Sequence, residues 1–419
     1  MIVDDPAVPA ARHLVGPGAF DVLRLPIEAA GGRLDDCRPV DVQFRPGSDV
    51  IVQYTAHVSW QGGPSKRETL VASSTFGGAP DGTVVVTADT PSGPVDVGVW
   101  RWPFDPVLRG IEHVTSASSV GRLLDLDPDD ISVEVVAYRP TQRTVIKVSS
   151  ALGDVVHAYI KVVAPDAVRS IAQRHAALRS ADVPAPLVTA TDEALGLLVL
   201  EPLVGPTLRN LVKGTPGTWP SCDEFDRIGD GFAATTLDAP AVASKLTDAA
   251  LHARMLALVA PERRATLEVL AECFESAPVP PSDVTIHGDL HDAQLIVVDG
   301  EIRGVLDVDD AGPGAAIDDR AKLIAQLLFR VDAGASDAAA VAVADYAESL
   351  RHASAPRFDA DLLDLHIAAC LVGLATGPFQ LQSTGWRDTV ATLVDRASQL
   401  AMRELSASPH RGLRTTCAV

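Results

Sequence analysis

Apolar and polar positions alternate through much of the first 115 residues, the two-residue period of a half-buried strand. Val50-Ile51-Val52-Gln53-Tyr54-Thr55-Ala56-His57-Val58 is one such run, Thr83-Val84-Val85-Val86-Thr87 a second and Val95-Asp96-Val97-Gly98-Val99-Trp100 a third. They are rich in β-branched and aromatic residues, which fit a pleated surface. Gly62-Gly63-Pro64, Gly77-Gly78-Ala79-Pro80 and Pro91-Ser92-Gly93-Pro94 separate them as turns. From about Asp182 onward the pattern is mainly helical, with strand pairs expected again only near 187–203 and 294–308. The chain therefore reads as a β-rich first part, 1–115, and a longer remainder that turns mainly helical, of α+β class.

One internal repeat stands out. Val42-Gln43-Phe44-Arg45-Pro46-Gly47-Ser48-Asp49-Val50-Ile51-Val52 recurs as Val136-Ala137-Tyr138-Arg139-Pro140-Thr141-Gln142-Arg143-Thr144-Val145-Ile146. Each copy predicts a strand, an Arg-Pro turn and a second strand. In the next strand the second copy carries a lysine, Ala158-Tyr159-Ile160-Lys161-Val162, where the first is matched with Glu68-Thr69-Leu70-Val71. Two copies are too few for a solenoid.

Composition narrows the function classes. The 419 residues allow two or three domains. With 35 basic against 55 acidic residues the net charge is −20, the opposite of what a polyanion binder needs, so nucleic-acid recognition is not expected. No run of about 18 apolar residues lacks Asp, Arg or His, and no membrane segment is expected. The stretch from Met1 to Arg12 carries Asp4 and Asp5 and no signal-peptide core. Five scattered cysteines (37, 222, 273, 370 and 417) without Cys-x-x-Cys spacing read as reduced thiols of a cytoplasmic protein. Only six of the 35 basic residues are lysines, so a lysine inside a strand invites a reason.

The chemistry concentrates in Thr285-Ile286-His287-Gly288-Asp289-Leu290-His291-Asp292-Ala293-Gln294-Leu295-Ile296-Val297 and Gly304-Val305-Leu306-Asp307-Val308-Asp309-Asp310-Ala311-Gly312. An apolar strand delivers a His-Gly-Asp turn; an amide follows five residues later, then a hairpin turning at Asp299-Gly300 and a buried strand ending in acids. Phosphoryl transfer needs such groups close together: one carboxylate to take the proton of an acceptor hydroxyl, and an amide oxygen with a second carboxylate to hold a divalent metal against phosphates. A hairpin of this length brings Asp289, Gln294 and Asp307 to one place. Two alternatives stand beside it. His287, Asp289, His291 and Asp292 have spacing compatible with a hydrolytic zinc or di-iron site, and the segment could be an acidic turn without chemistry.

These residues resemble the catalytic loop and metal-binding strand of the aminoglycoside phosphotransferase and choline kinase group, a branch of the protein-kinase-like fold. The family pattern His-Gly-Asp-x-His-x-x-Asn, Asp-x-x-x-Ala-Gly and Asp-x-Ala corresponds to His287 through Gln294, Asp307 through Gly312, and Asp319-Arg320-Ala321. The resemblance spans about residues 117–405 and implies a bilobal architecture: a mixed β small lobe at 116–204 and a helical C-terminal lobe at 205–419 bearing the catalytic loop. It implies Asp289 as catalytic base, Asp307 and Gln294 as Mg²⁺ ligands, His287 and Asp319 as structural partners of the loop, and ATP as co-substrate. Gln294 departs from the usual Asn by one methylene. The turn Tyr138-Arg139-Pro140-Thr141-Gln142-Arg143 takes the place of the phosphate-covering loop without a glycine, so Arg139 or Arg143 supplies charge instead. Lys161 is placed like the lysine that pairs with nucleotide phosphates. Its usual helix glutamate is replaced by Gln173, Arg174 and His175. Backbone near Glu201 and Leu203 would read the adenine edge.

Three features bear on the acceptor. The 115 residues preceding the kinase-like part, together with Tyr138-Arg139-Pro140 and Gln142-Arg143, resemble maltokinases and the maltokinase-like bacterial glucosamine kinases, which also carry an N-terminal cap. Asp309 and Asp310 add acids suited to sugar hydroxyls or an ammonium group. Gly377-Pro378-Phe379-Gln380-Leu381-Gln382-Ser383-Thr384-Gly385-Trp386-Arg387 reads as a loop between helices, with Trp386 as a face for a pyranose ring. Asp289 and His291 complete the acceptor side. The expected reaction is phosphorylation of D-glucosamine by ATP. A maltokinase or aminoglycoside O-phosphotransferase is the alternative acceptor class, and a pseudokinase-like nucleotide-binding module the non-enzyme one.

Overall fold

The computed structural model describes residues 5–61, 63–75, 77–90, 93–332 and 337–407. Gly62, Pro91 and Ser92 of the expected turns, and Cys417, lie outside the described residues. The chain divides into two compact units, residues 1–169, 188–202 and 379–384 in one, residues 170–187, 203–378 and 385–419 in the other.

The first unit is built on two five-stranded antiparallel sheets. β1 (Gly32–Arg45), β2 (Asp49–Trp60), β3 (Lys66–Thr75), β4 (Val84–Thr90) and β5 (Gly93–Arg101) take the order β1-β2-β3-β5-β4. β6 (Ile131–Arg139), β7 (Arg143–Ser150), β8 (Val156–Val162), β9 (Val188–Asp192) and β10 (Leu197–Leu200) take the order β6-β7-β8-β10-β9. The second sheet thus repeats the strand order of the first. The repeated turns sit at equivalent register, Arg45 opposite Asp49 and Arg139 opposite Arg143. Both turns need a left-handed residue at the same place: Gly47 at φ 74° in one, Thr141 at φ 62° in the other. A β-branched residue there is strained. Asp105 offsets the strain: its Oδ2 accepts the Thr141 N–H at 2.9 Å and the Tyr138 hydroxyl at 2.8 Å.

Register corrects one sequence expectation. Val145 pairs with Lys161, and its counterpart Ile51 pairs with Ser73, not with residues 68–71. β2 and β3, with 12 and 10 residues, outrun β7 and β8, with 8 and 7, so a constant offset fails past the first turn. Lys161 lies on β8, flanked by β7 and β10, and keeps only 5% of its exposure.

The second unit is mainly helical and carries two small ribbons. β11 (Val284–Ile286) pairs with β14 (Gly312–Gly314), and β12 (Leu295–Val298) with β13 (Glu301–Val305). The sequence predicted the second ribbon; the first has strands of three residues, too short to show a period. The expected loop at 377–387 is shorter. Buried Leu371, Val372, Ala375 and Phe379 continue one apolar face, so the helix Ala360–Gln380 runs through Gly377 and Pro378, and the helix Trp386–Ala407 starts at the tryptophan. Ala360–Gln380 is long and apolar enough to cross a membrane by length and composition, but 78% of its apolar window is buried within the protein. It also holds His366, whose Nδ1 lies 2.6 Å from Asp318 Oδ1 on the helix Ala316–Asp332, both side chains being buried. The α+β class and the β-rich N-terminal region match expectation.

Candidate active site

The two ribbons bracket the site within the second unit. β11 ends at Ile286, paired with Gly312, so the chain leaves toward the His-Gly-Asp turn beside the strand returning from the acids. β12 opens opposite the end of β13, and the Leu306 N–H donates to the Gln294 carbonyl at 2.7 Å, extending the ladder by one step. Gln294 and Asp307 therefore lie side by side at the open end of the hairpin. At the closed end Asp299 and Gly300, with φ 52° and 83°, make a tight left-handed turn.

The turn itself is over-determined. Gly288 has φ 86°, a conformation strained for a residue with a side chain, and a Cβ there would crowd Val242 Cγ1 at 3.1 Å. The N–H groups of His287 and Gly288 both donate to the Asp319 carboxylate, at 2.7 and 2.9 Å. Burial raises the Asp319 pKa, against the opposing pull of His287 and these two N–H groups. The buried His287 ring donates from Nε2 to the Leu306 carbonyl at 2.9 Å and accepts the Asp289 N–H on Nδ1 at 3.3 Å. That pattern joins the Asp289 turn to the Asp307 strand.

Four of the expected site side chains form a row. Asp289 Oδ2 lies 3.8 Å from His291 Nε2, which lies 3.3 Å from Gln294 Nε2, which donates to Asp307 Oδ2 at 3.4 Å. Asp307 adopts the left-handed conformation at φ 57°, tolerated by aspartate and costly for most residues. Asp289 keeps 49% of its side-chain exposure, and Lys322 Nζ lies 3.0 Å from its Oδ1. Burial pushes the Asp289 pKa up, but the charges of Lys322, His291 and Lys245 outweigh it and the net shift is downward. Burial takes His291 the other way from its ordinary value, to about 4, so the ring is neutral near pH 7.

Other expected residues lie elsewhere. Asp309 is buried, its Oδ1 3.8 Å from His175 Nε2 and its carbonyl accepting from Arg174 Nη1 at 2.5 Å. The helix residues standing where a glutamate is usual thus grip the turn after Asp307. Asp310 is exposed. Trp386 packs under the Arg387 guanidinium at 4.6 Å. Leu203 packs in the second unit, its side chain adjoining Gly304, whereas Lys161, Arg139, Arg143 and Glu201 belong to the first unit.

Sequence reasoning missed the residues that brace the loop. Asp292 is fully buried, its Oδ1 accepting from Arg209 at 3.1 and 3.2 Å and its Oδ2 from Arg330 at 3.0 Å. Lys245 Nζ donates to the Gly288 carbonyl at 2.6 Å. Lys322 was legible in principle, being one of six lysines and one helical turn after Asp319. The zinc or di-iron alternative finds no support in the site: His287 and Asp292 are spent on the bonds above, and among the described residues no group of three His, Cys, Asp or Glu could hold a metal. The carboxylate of Asp307 and the amide of Gln294 offer hard oxygen donors, a set that suits Mg²⁺, which fills its shell with phosphate oxygens and water.

Residues 157–356 match the family model described as APH, phosphotransferase enzyme family. No curated protein matches the chain. Among solved structures the chain is similar to a choline/ethanolamine kinase family protein from Mesorhizobium loti, at 13% identity and a TM-score of 0.47, over 70% of this chain and 97% of that one. It is similar to a thermostable mutant of aminoglycoside phosphotransferase APH(4)-Ia in ternary complex with ADP and hygromycin B, at 14% identity and a TM-score of 0.46, over 71% and 99%. A gentamicin complex of APH(2")-IIa is similar at 13% identity and a TM-score of 0.42, over 68% and 96%.

Proposed function

We infer, from the match of residues 157–356 to the phosphotransferase enzyme family model, that this chain is a cytoplasmic kinase transferring the γ-phosphate of ATP to the 6-hydroxyl of D-glucosamine. The observation that carries the reading is the row Asp289, His291, Gln294, Asp307, which sets a carboxylate, an amide and a second carboxylate in sequence along one edge. Asp289 accepts the hydrogen bond of the acceptor hydroxyl and takes its proton as that oxygen attacks the γ-phosphorus in line. Asp307 and Gln294 would hold Mg²⁺, which when bound neutralises phosphate charge. Lys161, Arg139 and Arg143 bind phosphate oxygens, and backbone at Glu201 and Leu203 meets the adenine. Asp289, His291, Asp310 and Trp386 serve the acceptor. The exposed carboxylate of Asp310, three residues after Asp307, supports an ammonium-bearing sugar.

One observation favours a second reading, a maltokinase: Asp309 lies against His175, leaving fewer acids for an amine. ADP release from Mg·ATP with glucosamine, glucose, maltose and kanamycin separates the two. Glucosamine exceeding glucose at least about tenfold in kcat/KM is expected from one charge-assisted contact. Equal rates with both would remove the amine contact, a preference for maltose would install the second reading, and binding of Mg·ATP without turnover on any acceptor would leave a pseudokinase.

A further inference from the structure

Lys322 is a half-buried cation at the candidate base that the phosphotransfer reading does not use. It lies on the helix Ala316–Asp332, one turn beyond Asp319. The same helix therefore holds the backbone of the His-Gly-Asp turn through Asp319 and reaches its carboxylate through Lys322. The lysine side chain keeps 17% of its exposure and Asp289 keeps 49%. An ion pair with one partner so exposed contributes at most about 1 kcal/mol, while ordering a lysine side chain costs about as much. Stability alone gives little reason to hold a lysine there. The other nearby cation differs: Lys245 Nζ is directed to the Gly288 carbonyl at 2.6 Å, not to the carboxylate.

The two carboxylate oxygens are unlike each other. Oδ1 meets the ammonium at 3.0 Å, whereas Oδ2 has His291 Nε2 at 3.8 Å, beyond hydrogen-bond distance. We propose that Lys322 is a positioning residue for Asp289: by anchoring Oδ1 it fixes the plane of the carboxylate and presents Oδ2 as the oxygen that receives the acceptor proton. The proposal rests on the reading of Asp289 as base. No bond changes at Lys322 itself; the proton passes from the acceptor hydroxyl to Oδ2, and the ammonium keeps its three protons throughout.

The groups facing Asp289 are Lys322, Lys245 from the helix Lys245–Val259, His291 from its own loop and Cys370 from the helix Ala360–Gln380. Burial acts on Asp289 against the charges of the two lysines, so removing Lys322 releases the upward push of burial. The test is the pH dependence of kcat and KM for Lys322→Met, Lys322→Gln and Lys322→Arg, with thermal unfolding of each. The expected result for Met and Gln is a kcat about a hundredfold lower, a nucleotide KM within about threefold of wild type, and an acid limb about one pH unit higher. Arg, which keeps the charge and reach, restores kcat to within about tenfold and returns the limb. Wild-type kcat and limb in a folded Met or Gln variant overturn the proposal. So does a loss of activity that tracks the unfolding temperature equally in all three. Wild-type protein that turns over no acceptor defeats the functional reading and, with it, the role of Lys322; turnover by the wild type with no effect of Lys322 defeats the positioning role alone.

Discussion

The two five-stranded sheets share one strand order and one register around their Arg-Pro turns, yet they differ where a phosphate binder would need to differ. At the position paired with the third residue of the outgoing strand, the first sheet has Ser73 and the second Lys161. Their neighbours on the next strand are Gly98 and Leu198. The turns diverge as well. In the first, Arg45 is paired with Asp49, its Nε donating at 2.8 Å, and the turn is self-neutralised. In the second, Arg143 stands where Asp49 does, and two guanidinium groups share one turn. A scaffold used twice can thus carry charge once. What marks the second sheet is a buried lysine on its central strand, where the first sheet has a serine.

That contrast can be broken in order of effect. Lys161→Met keeps the length of the side chain and removes the charge; kcat/KM for ATP should fall about 10²–10³-fold by ADP release, while Ser73→Ala at the matching position changes it less than about twofold. Retained activity in folded Lys161→Met would erase the functional difference between the sheets. Arg143→Asp recreates the neutralised turn of the first sheet. It should raise the nucleotide KM about tenfold in steady-state assays, whereas Asp49→Arg in the first sheet leaves KM unchanged and costs about 1 kcal/mol or less in urea unfolding. Smallest is Tyr138→Phe, which removes a hydroxyl donating to Asp105 and accepting from Trp100 Nε1 at 3.0 Å. About 1 kcal/mol of stability is expected to go, with ATP binding by calorimetry weakened only slightly.

How much of this was readable in the sequence follows from distance along the chain. His287, Gly288, Asp289, Gln294 and Asp307 lie within about twenty residues, so their types and spacing carried the site before any fold was known. The repeat was readable for the same reason, until unequal hairpin lengths shifted Lys161 onto Ser73. The residues that brace the loop come from far away. Arg209 reaches Asp292 across 83 positions and Arg330 across 38, and no local pattern announces them. Their cost if lost is large: removing either arginine leaves a fully buried carboxylate short of a partner, about 3–5 kcal/mol by comparison with other buried pairs. The helix past Gly377 and Pro378 was missed because local breaker signals were overruled by a buried apolar face. Asp309 was read as an acceptor acid from its neighbours in sequence, whereas its contacts are with Arg174 and His175.

The central claim is that Asp289, Gln294 and Asp307 serve one metal-nucleotide and acceptor site. A crystal structure of the protein with Mg²⁺, a non-hydrolysable ATP analogue and glucosamine tests it most directly. The account predicts Mg²⁺ at about 2.1 Å from Asp307 and Gln294 oxygens, and the sugar 6-hydroxyl within about 3 Å of Asp289 Oδ2. Metal and nucleotide bound away from Asp307, or a sugar whose 6-hydroxyl faces no oxygen of Asp289, would contradict it.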